Sequence, residues 1–380
     1  MKRRDLIVGS LSAISLLNLP GLLTQVANAA PLRAIGVNYF DLFTCGINGA
    51  SKGNLVSSLK RLRDASIPFA RFSASPYWPI EWKKSFLKDK SAYLGKLDSV
   101  VLAAESAGFG LVPNLIWNPV SISDIVGEPV SYWGKLGSKT LAFMQDYVGT
   151  LVKRYAGSSA VWMWEFANEY NDFVDLPNAL NWWPTVNVSE GTPSSRSKSD
   201  LLTSDALVVA INAFVEAVRQ YDSKHPISGG TNHPRYNSFH LSKGSWEPDS
   251  EAEWGNALVK VTPPLPSATS IHLYPDIQGS MFKNKESSYS DVLSILVNTT
   301  RKIGSISFLG EFGVLNSGVG TSDQRQFTAL LSAIVNSGVQ YACLWVYDFS
   351  FQNSTWNVTF DNARAYQLKM ISQANRSFGW

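Results

Sequence analysis

The chain has 380 residues, of which 45% are hydrophobic and 17% are charged, so it can bury a large core and carries fewer charges than an average globular protein. Its formal net charge is +3, and the three basic residues and one acidic residue at positions 2–5 supply +2 of it. The remaining +1 gives no electrostatic reason to expect a nucleic acid or another anionic partner.

Residues 1–29 have the three parts of an export signal. Basic residues at 2–4 precede a Leu/Ile/Val-rich stretch at 6–23, and Ala27 and Ala29 provide the small residues of a cleavage site. The adjacent arginines resemble a twin-arginine signal, although Leu6 stands where that motif usually has Phe. Polar residues, glycine and proline interrupt the apolar stretch, which disfavours a transmembrane anchor. We therefore expect an exported protein, periplasmic or extracellular, with no membrane segment in its mature form.

The rest of the chain, 30–380, has no internal repeat, linker or low-complexity boundary, which predicts a single domain. Short apolar runs predict strands at 34–40, 67–72, 110–116, 160–166, 227–230, 268–274, 305–311 and 340–347. Helical patterns lie between them at 55–65, 91–107, 135–155, 204–221, 290–303 and 323–336. This alternation predicts an α/β fold, a (β/α)8 TIM barrel with long loops on its catalytic face. A doubly wound sheet is the alternative, but the early glycine-rich phosphate loop that it would have is missing.

Polar and aromatic residues occur in or just after the second and third predicted strands. Arg71 lies inside the second strand between two apolar residues, so its charge needs a partner within the fold, such as a structural carboxylate. The third strand carries Asn114 and is followed by Trp117. Both are candidate substrate-binding residues, and packing at the barrel rim is the alternative for Trp117.

Two carboxylic acids end apolar strands further along the chain. Asn168 and Glu169 follow an aromatic run that reads as the fourth strand, and Glu311 ends the seventh within a Gly-Glu-Phe-Gly sequence. Between them, the sixth strand ends with His272 and Tyr274. A single acid at a strand end would most simply meet solvent, but two acids and a polar pair at corresponding strand ends favour a site.

A long polar loop, 171–200, follows the fourth strand and contains Trp182 and Trp183. Loops of this length in compact domains are usually functional or disordered, and those that follow barrel strands line the catalytic face. Flat aromatic faces stack on the C–H faces of sugar rings, so we interpret both tryptophans as walls of a sugar subsite. Packing of the loop against itself is the alternative.

Histidine and cysteine give little evidence for a metal or a disulfide framework. His233 and His240 have no carboxylate or third histidine at ligand spacing in the sequence, so neither a metal nor another cofactor is assigned. Cys45 and Cys343 are the only cysteines and fall near the ends of strands one and eight, which are neighbours in a closed barrel. Either a single bridge or two separate thiols fit this spacing.

At these strand ends the chain resembles glycoside hydrolase family 5 and the wider clan of retaining glycosidases built on a (β/α)8 barrel. Asn168 and Glu169 match the asparagine and acid/base of that family, Glu311 matches its nucleophile, and His272 and Tyr274 match the polar pair after strand six. The resemblance covers the chain from about residue 33 to its end, and three motifs in the right order make it fairly specific.

The resemblance implies a role for several side chains. It places Arg71 beside the nucleophile, where Arg71 and Tyr274 would keep Glu311 ionised, and it implies a raised pKa for the acid Glu169. His272 would line the cleft, while Asn168 would bind the sugar 2-hydroxyl. Trp345, in strand eight, matches the tryptophan that floors the subsite of the cleaved sugar, and a core tryptophan is the alternative.

The function implied is a retaining endo-β-glycosidase, expected to be monomeric, that acts on a polysaccharide or oligosaccharide. Many family members have a histidine at the end of strand three, whereas some mannan-cleaving relatives have Trp or Asn, as this chain does at 117 and 114. That difference favours β-1,4-mannan weakly over β-1,4-glucan. A non-catalytic carbohydrate-binding barrel is disfavoured because both acids are present. A serine hydrolase is disfavoured because no Gly-x-Ser-x-Gly sequence occurs.

Overall fold

A closed barrel of parallel strands forms the centre of the protein. The structure, a computed structural model, describes residues 33–181, 183, 186–275, 279–283 and 285–380, so the predicted signal, 1–29, lies outside it. Within the described residues the barrel strands are β1 (Ala34–Asn38), β2 (Phe69–Ser73), β3 (Gly110–Ile116), β4 (Trp164–Ala167), β5 (Ile227–Ser228), β6 (Ser267–Leu273), β9 (Ile306–Phe312) and β10 (Tyr341–Leu344). Strands β7 (Gly279–Phe282) and β8 (Lys285–Ser287) form a separate antiparallel hairpin.

The eight barrel strands of the described residues hydrogen-bond in the order β1-β10-β9-β6-β5-β4-β3-β2, and β2 also pairs with β1. Every one of these pairings is parallel. The predicted (β/α)8 TIM barrel is therefore confirmed. Because all strands run the same way, their C-terminal ends meet at one mouth.

Helices surround the barrel. They are α1 (Thr44–Ile47), α2 (Leu55–Asp64), α3 (Pro79–Lys84), α4 (Lys90–Ala107), α5 (Ser121–Val126), α6 (Lys139–Tyr155), α7 (Ser204–Arg219), α8 (Ser238–Leu241), α9 (Glu251–Lys260), α10 (Tyr289–Ile303), α11 (Gly320–Ser337) and α12 (Ala365–Ser377). Local sequence fixes several ends: Ser288 and Asp291 form a capping box at the start of α10, and Gly304 ends that helix at φ 73°. No helix of the described residues is long and apolar enough to cross a membrane.

Six of the twelve helices in the described residues were not predicted: the short helices α1, α3, α5 and α8, and the longer helices α9 and α12. No helix was predicted between the strands at 227–230 and 268–274, yet Ser250 and Glu253 form a capping box at the start of α9. Helix α12 buries polar side chains, and Asn375 is one of them. The Asn375 amide accepts from the Ile35 N–H at 2.8 Å and donates to the Ile35 carbonyl at 2.7 Å. These two hydrogen bonds to β1 take the place of apolar contacts, so the helix lacks part of the apolar pattern by which it could have been predicted.

The inside of the barrel is layered because residues two apart on a strand face the same side. The lowest layer is an apolar cluster: Ala34, Phe69, Val112, Met163, Ala268, Phe308 and Cys343. Two residues further along, the strands carry a mostly polar set: Gly36, Arg71, Asn114, Glu165, Ser270, Gly310 and Trp345. The apolar layer thus closes the barrel beneath a polar mouth.

Close packing of β1 against β2 predicts a large effect of a small substitution. A methyl group at Gly36 would collide with the Phe69 carbonyl oxygen and lie 2.8 Å from its ring. We expect Gly36→Ala to lower the free energy of unfolding by about 3 kcal/mol, because backbone cannot move aside as a side chain can. Gly46, on α1, has open space around it. Gly46→Ala should therefore change stability little, and equal stability of the two variants in urea unfolding would contradict the described packing.

Candidate active site

The mouth of the barrel gathers most of the side chains that the sequence singled out. Arg71 comes from β2, His272 from β6 and Glu311 from β9, while Asn168 and Glu169 follow β4 at once. All but Arg71, which is in the middle of β2, lie at or just beyond the C-terminal end of a strand, where barrel enzymes place their catalytic groups. A single cluster of polar contacts joins them.

Arg71 is the centre of this cluster and is fully buried. Its Nε donates to Glu165 Oε1 at 2.5 Å, and its Nη1 donates to Glu311 Oε1 at 2.8 Å and to Asn38 Oδ1 at 2.9 Å. Its Nη2 donates to Asn168 Oδ1 at 2.7 Å. The guanidinium group thus links β2 to β1, β4 and β9, and both partners weighed for Arg71 are present: a structural carboxylate, Glu165, and the acid Glu311.

Glu165 is the main residue that the sequence analysis missed. It is buried in β4 and accepts from Asn114 Nδ2 at 2.9 Å and from Ser228 Oγ at 3.0 Å, in addition to Arg71. A charged residue inside an apolar strand was the signal that identified Arg71, and the same signal applies to Glu165. Asn114, predicted to bind substrate, is itself completely buried in this network, because it is needed to satisfy the Glu165 carboxylate.

Glu311 reaches the mouth through a β-bulge in β9. Ile271 of β6 pairs with Leu309, but His272 pairs with Glu311, so Gly310 is the extra residue. Both Gly310 and Glu311 consequently face inward. A side chain at Gly310 would come within 2.8 Å of His272 Nε2, which explains why a glycine occupies this position.

The carboxylate of Glu311 is held on both sides. Arg71 binds Oε1, and Tyr274 Oη donates to Oε2 at 2.6 Å. Burial raises the pKa of Glu311 above its ordinary value and the charge of Glu169 adds to this, while His272, Arg71 and Tyr274 oppose the rise. The raised pKa expected for Glu169 stays a prediction. The Glu311 side chain is only 5% exposed, which accounts for the effect of burial on its pKa, whereas the Glu169 side chain is 29% exposed.

Glu169 occupies the opposite side of the same cleft. It has a left-handed backbone conformation, φ 56°, and its Oε1 lies 2.6 Å from His272 Nδ1. One carboxylate oxygen of Glu169 and one of Glu311 lie within 4.8 Å of each other. The two acids therefore face each other closely enough to act on one bond.

His272 differs from its predicted position. It is fully buried behind Glu169 and does not line the cleft. Burial lowers the pKa of His272 to about 4, and Arg71 also opposes its protonation. The ring is thus neutral near pH 7, and its Nδ1 lies at hydrogen-bond distance from the Glu169 carboxyl group.

The aromatic candidates separate into two groups. Trp345 is half-buried at the mouth, donates from Nε1 to Gln352 Oε1 at 3.0 Å, and lies 5.9 Å from the Trp117 ring. Trp117 is almost completely buried, with the Arg71 guanidinium 4.6 Å from its ring centre. Trp183 is also buried and stacks on Phe173 at 4.4 Å, which is the self-packing alternative for that loop. Trp182 lies outside the described residues.

Two groups of side chains in the described residues have ligand atoms close enough for a metal ion: Glu169, His272 and Glu311, and His240, Asp249 and Glu253. No carboxylate stands at ligand spacing from His240 in the sequence, but folding brings Asp249 to 2.7 Å from its Nδ1. That carboxylate also accepts from two backbone N–H groups. Cys45, on α1, and Cys343, in the lowest barrel layer, are free thiols.

Comparison with known proteins agrees with this geometry. A family model described as Cellulase (glycosyl hydrolase family 5) matches residues 67–350. A search of curated protein sequences gives no match.

Three solved structures illustrate the similarity of the fold. An endo-1,4-β-D-mannanase from Thermotoga petrophila RKU-1 has a TM-score of 0.63 and 15% identity, covering 91% of this chain and 99% of that chain. An endo-1,4-β-mannanase from Rhizomucor miehei has a TM-score of 0.65 and 12% identity, covering 91% and 94%. An endoglucanase from Pseudomonas stutzeri has a TM-score of 0.55 and 16% identity, covering 89% and 93%. At these identities the likeness concerns the fold.

The buried neutral histidine predicts a pH dependence of stability. The pKa of His272 falls from 6.5 to about 4 on folding, so between these values the unfolded chain binds a proton that the folded chain does not. Stability is therefore lost as pH decreases through this window, by up to about 3 kcal/mol. In urea unfolding at pH 7 and pH 4.5, His272→Gln should lose less stability than the wild type between the two values. Equal losses would contradict a neutral, buried His272.

Proposed function

Because the chain belongs to the cellulase family, glycosyl hydrolase family 5, and is thus a glycoside hydrolase, we propose that it is a retaining endo-β-glycosidase. Its substrate is a β-linked polysaccharide, with a preference for β-1,4-mannan. The proposal specifies three properties that the match to the family model does not state: the stereochemical course, the residue that performs each step, and the glycan.

The spacing of the two acids carries the proposal. Retaining glycosidases hold their carboxyl groups about 5 to 5.5 Å apart, whereas inverting enzymes separate them by about 6.5 to 9.5 Å to admit a water molecule. Glu169 and Glu311 have oxygens within 4.8 Å of each other. This distance favours direct attack by a carboxylate over attack by an interposed water.

Glu311 is the nucleophile in this mechanism and Glu169 is the acid and base. A Glu311 oxygen bonds to the anomeric carbon as the glycosidic C–O bond breaks, and Glu169 gives its proton to the departing oxygen. A water oxygen then attacks the same carbon, Glu169 takes the proton of that water, and the bond to Glu311 breaks. Glu169 suits proton exchange because it is the more exposed acid, while Arg71 and Tyr274 fix Glu311 in place.

Asn168 and Trp345 suit the sugar that is cleaved. Arg71 binds the oxygen end of the Asn168 amide, so the NH2 end is the part that can donate to a sugar 2-hydroxyl. Trp345 is half-buried with its Nε1 tied to Gln352, which fixes the plane of its ring. A fixed, partly exposed ring at the mouth is suitable as the floor of a sugar subsite.

The preference for mannan depends on few residues. Proteins with similar folds include both mannanases and an endoglucanase. The weak preference for mannan therefore rests on the end of β3, where Trp117 and Asn114 stand in place of the histidine of many relatives. A β-1,4-glucanase of the same family is the second candidate.

Reducing-sugar release across soluble glycans tests the substrate. We expect the highest rate on a soluble β-1,4-mannan, a lower rate on carboxymethyl cellulose, and little release from xylan. A higher rate on the cellulose derivative would favour the glucanase alternative. No release by the wild type from any of these glycans would contradict the proposed function.

Chemical rescue tests the role of each acid. Glu169→Ala should cleave polysaccharide slowly, yet an aryl glycoside with a good leaving group should still form the intermediate on Glu311, since no proton is needed for departure. Added azide should then restore turnover and give a β-glycosyl azide. Glu311→Ala cannot form that intermediate, so any azide product should be the α-anomer.

The product anomer makes this test decisive. A β-azide from Glu311→Ala, or an α-azide from Glu169→Ala, would reverse the two assignments. Glu216→Ala is a matched control, because Glu216 is an exposed acid on α7. It should show wild-type rates with no effect of azide.

A further inference from the structure

A line of aromatic rings runs from the catalytic centre to the protein surface. Trp345 lies 6.0 Å from Phe40, Phe40 lies 4.9 Å from Phe349, and Phe349 lies 5.9 Å from Phe351, measured between ring centres. We call these four residues the aromatic row. Burial decreases along it, since the first three rings are half-buried and the Phe351 side chain is 87% exposed.

Phe351 is exposed although it lies in an ordered turn. It lies in a 3-10 turn, Ser350–Gln352, and the next residue, Gln352, accepts the hydrogen bond from Trp345. Single exposed apolar residues are common and need no function. Phe351 differs because it continues a row of rings that begins at the catalytic centre.

Polar contacts hold the two loops that carry the row. Phe40 follows β1 and Phe349 follows β10, and Asp348 joins these loops by accepting from Tyr39 Oη at 2.7 Å. Lys52 binds the Asp348 carbonyl at 2.5 Å and Asp41 Oδ1 at 2.8 Å. The rings are therefore held in place before any ligand binds, which lowers the entropy cost of binding.

The direction of the row identifies which part of a substrate it would contact. Glu169 follows β4, whereas Trp345 and Phe351 follow β10. In the closed barrel, three strands lie between β4 and β10 in either direction, so these two strands are on opposite sides of the mouth. The proton donor must contact the departing sugar, so the departing part of the chain lies on the Glu169 side. The aromatic row lies on the other side of the mouth.

We infer that the aromatic row binds the retained, glycone part of the polysaccharide, with Phe351 as the outermost stacking surface. This inference rests on the proposed function and deepens it. The ring spacings are of the order of one sugar unit, so the chain would pass from Trp345, under the cleaved sugar, past Phe40 and Phe349 to Phe351. An extended binding surface of this kind favours cleavage within a chain, because sugars beyond the cleaved unit contribute to binding.

Aryl glycosides of increasing length test this inference, because a constant 4-nitrophenyl leaving group varies only the glycone. We would measure kcat/KM for the β-glycosides of mannobiose, mannotriose and mannotetraose, and for the matching cello-oligosaccharide series. In the wild type kcat/KM should rise with length in the preferred series. In Phe351→Ala the ratio of tetraoside to bioside should fall about fivefold or more, the lower range for loss of one stacking ring.

Two further variants separate stacking from structure. Phe351→Tyr keeps a flat ring and should retain the wild-type ratio. Tyr221→Ala removes an exposed aromatic residue just beyond α7, where the chain leads towards the N-terminal end of β5 and away from the mouth. It should also retain that ratio.

Each outcome has a distinct meaning. An unchanged ratio in Phe351→Ala, or an equal fall in kcat/KM at every length, would overturn the role of Phe351 while leaving the proposed function intact. A wild-type enzyme that cleaves longer glycosides no faster than the biosides would overturn the extended glycone site. If the wild type cleaved neither series, the proposed function would fail, and this inference with it.

Discussion

The structure depends on one buried interaction, the contact of the Arg71 guanidinium with Glu165 and Glu311. A fully buried ion pair is costly unless each charge is compensated and each polar atom is hydrogen-bonded. Here one cation faces two carboxylates at 2.5 and 2.8 Å, and amides from β1 and from the end of β4 complete its contacts. Glu165 in turn needs Asn114 and Ser228. The polar interior of the barrel is therefore one network, and the position of Glu311 at the mouth follows from it.

Much of this architecture could be predicted from the sequence because strands buried on both faces appear as apolar runs. The bounds of β3 were predicted to the residue, at 110–116, and most of the mouth residues were found because polar groups ended such runs. The degree to which each polar side chain is buried could not be predicted in this way. Asn114 and His272 were expected in contact with substrate but are buried, since hydrogen-bond partners on other strands decide how far a side chain is drawn inwards.

Two of the features that were missed have a common cause. Helix α12 and the residue Glu165 place polar groups where an amphipathic or apolar pattern would be expected, and their partners are distant in sequence: Asn375 contacts Ile35, and Glu165 contacts Arg71. Sequence periodicity describes burial against an apolar core and gives no information about such pairs. The bulge in β9 is a further case, because it is defined only by the register with β6.

The bulge also bears on how such a site can arise or disappear. Below Gly310, β9 contributes Phe308 to the apolar layer, and that part of the strand keeps its register with β6. The extra residue changes only which side chain faces inward at the rim. Insertion or loss of a single codon at this point would thus exchange the group presented to a ligand while the barrel beneath it stayed the same. Evolution can therefore change the side chain that the barrel presents at its mouth, through a single residue, without changing the apolar layer that supports it.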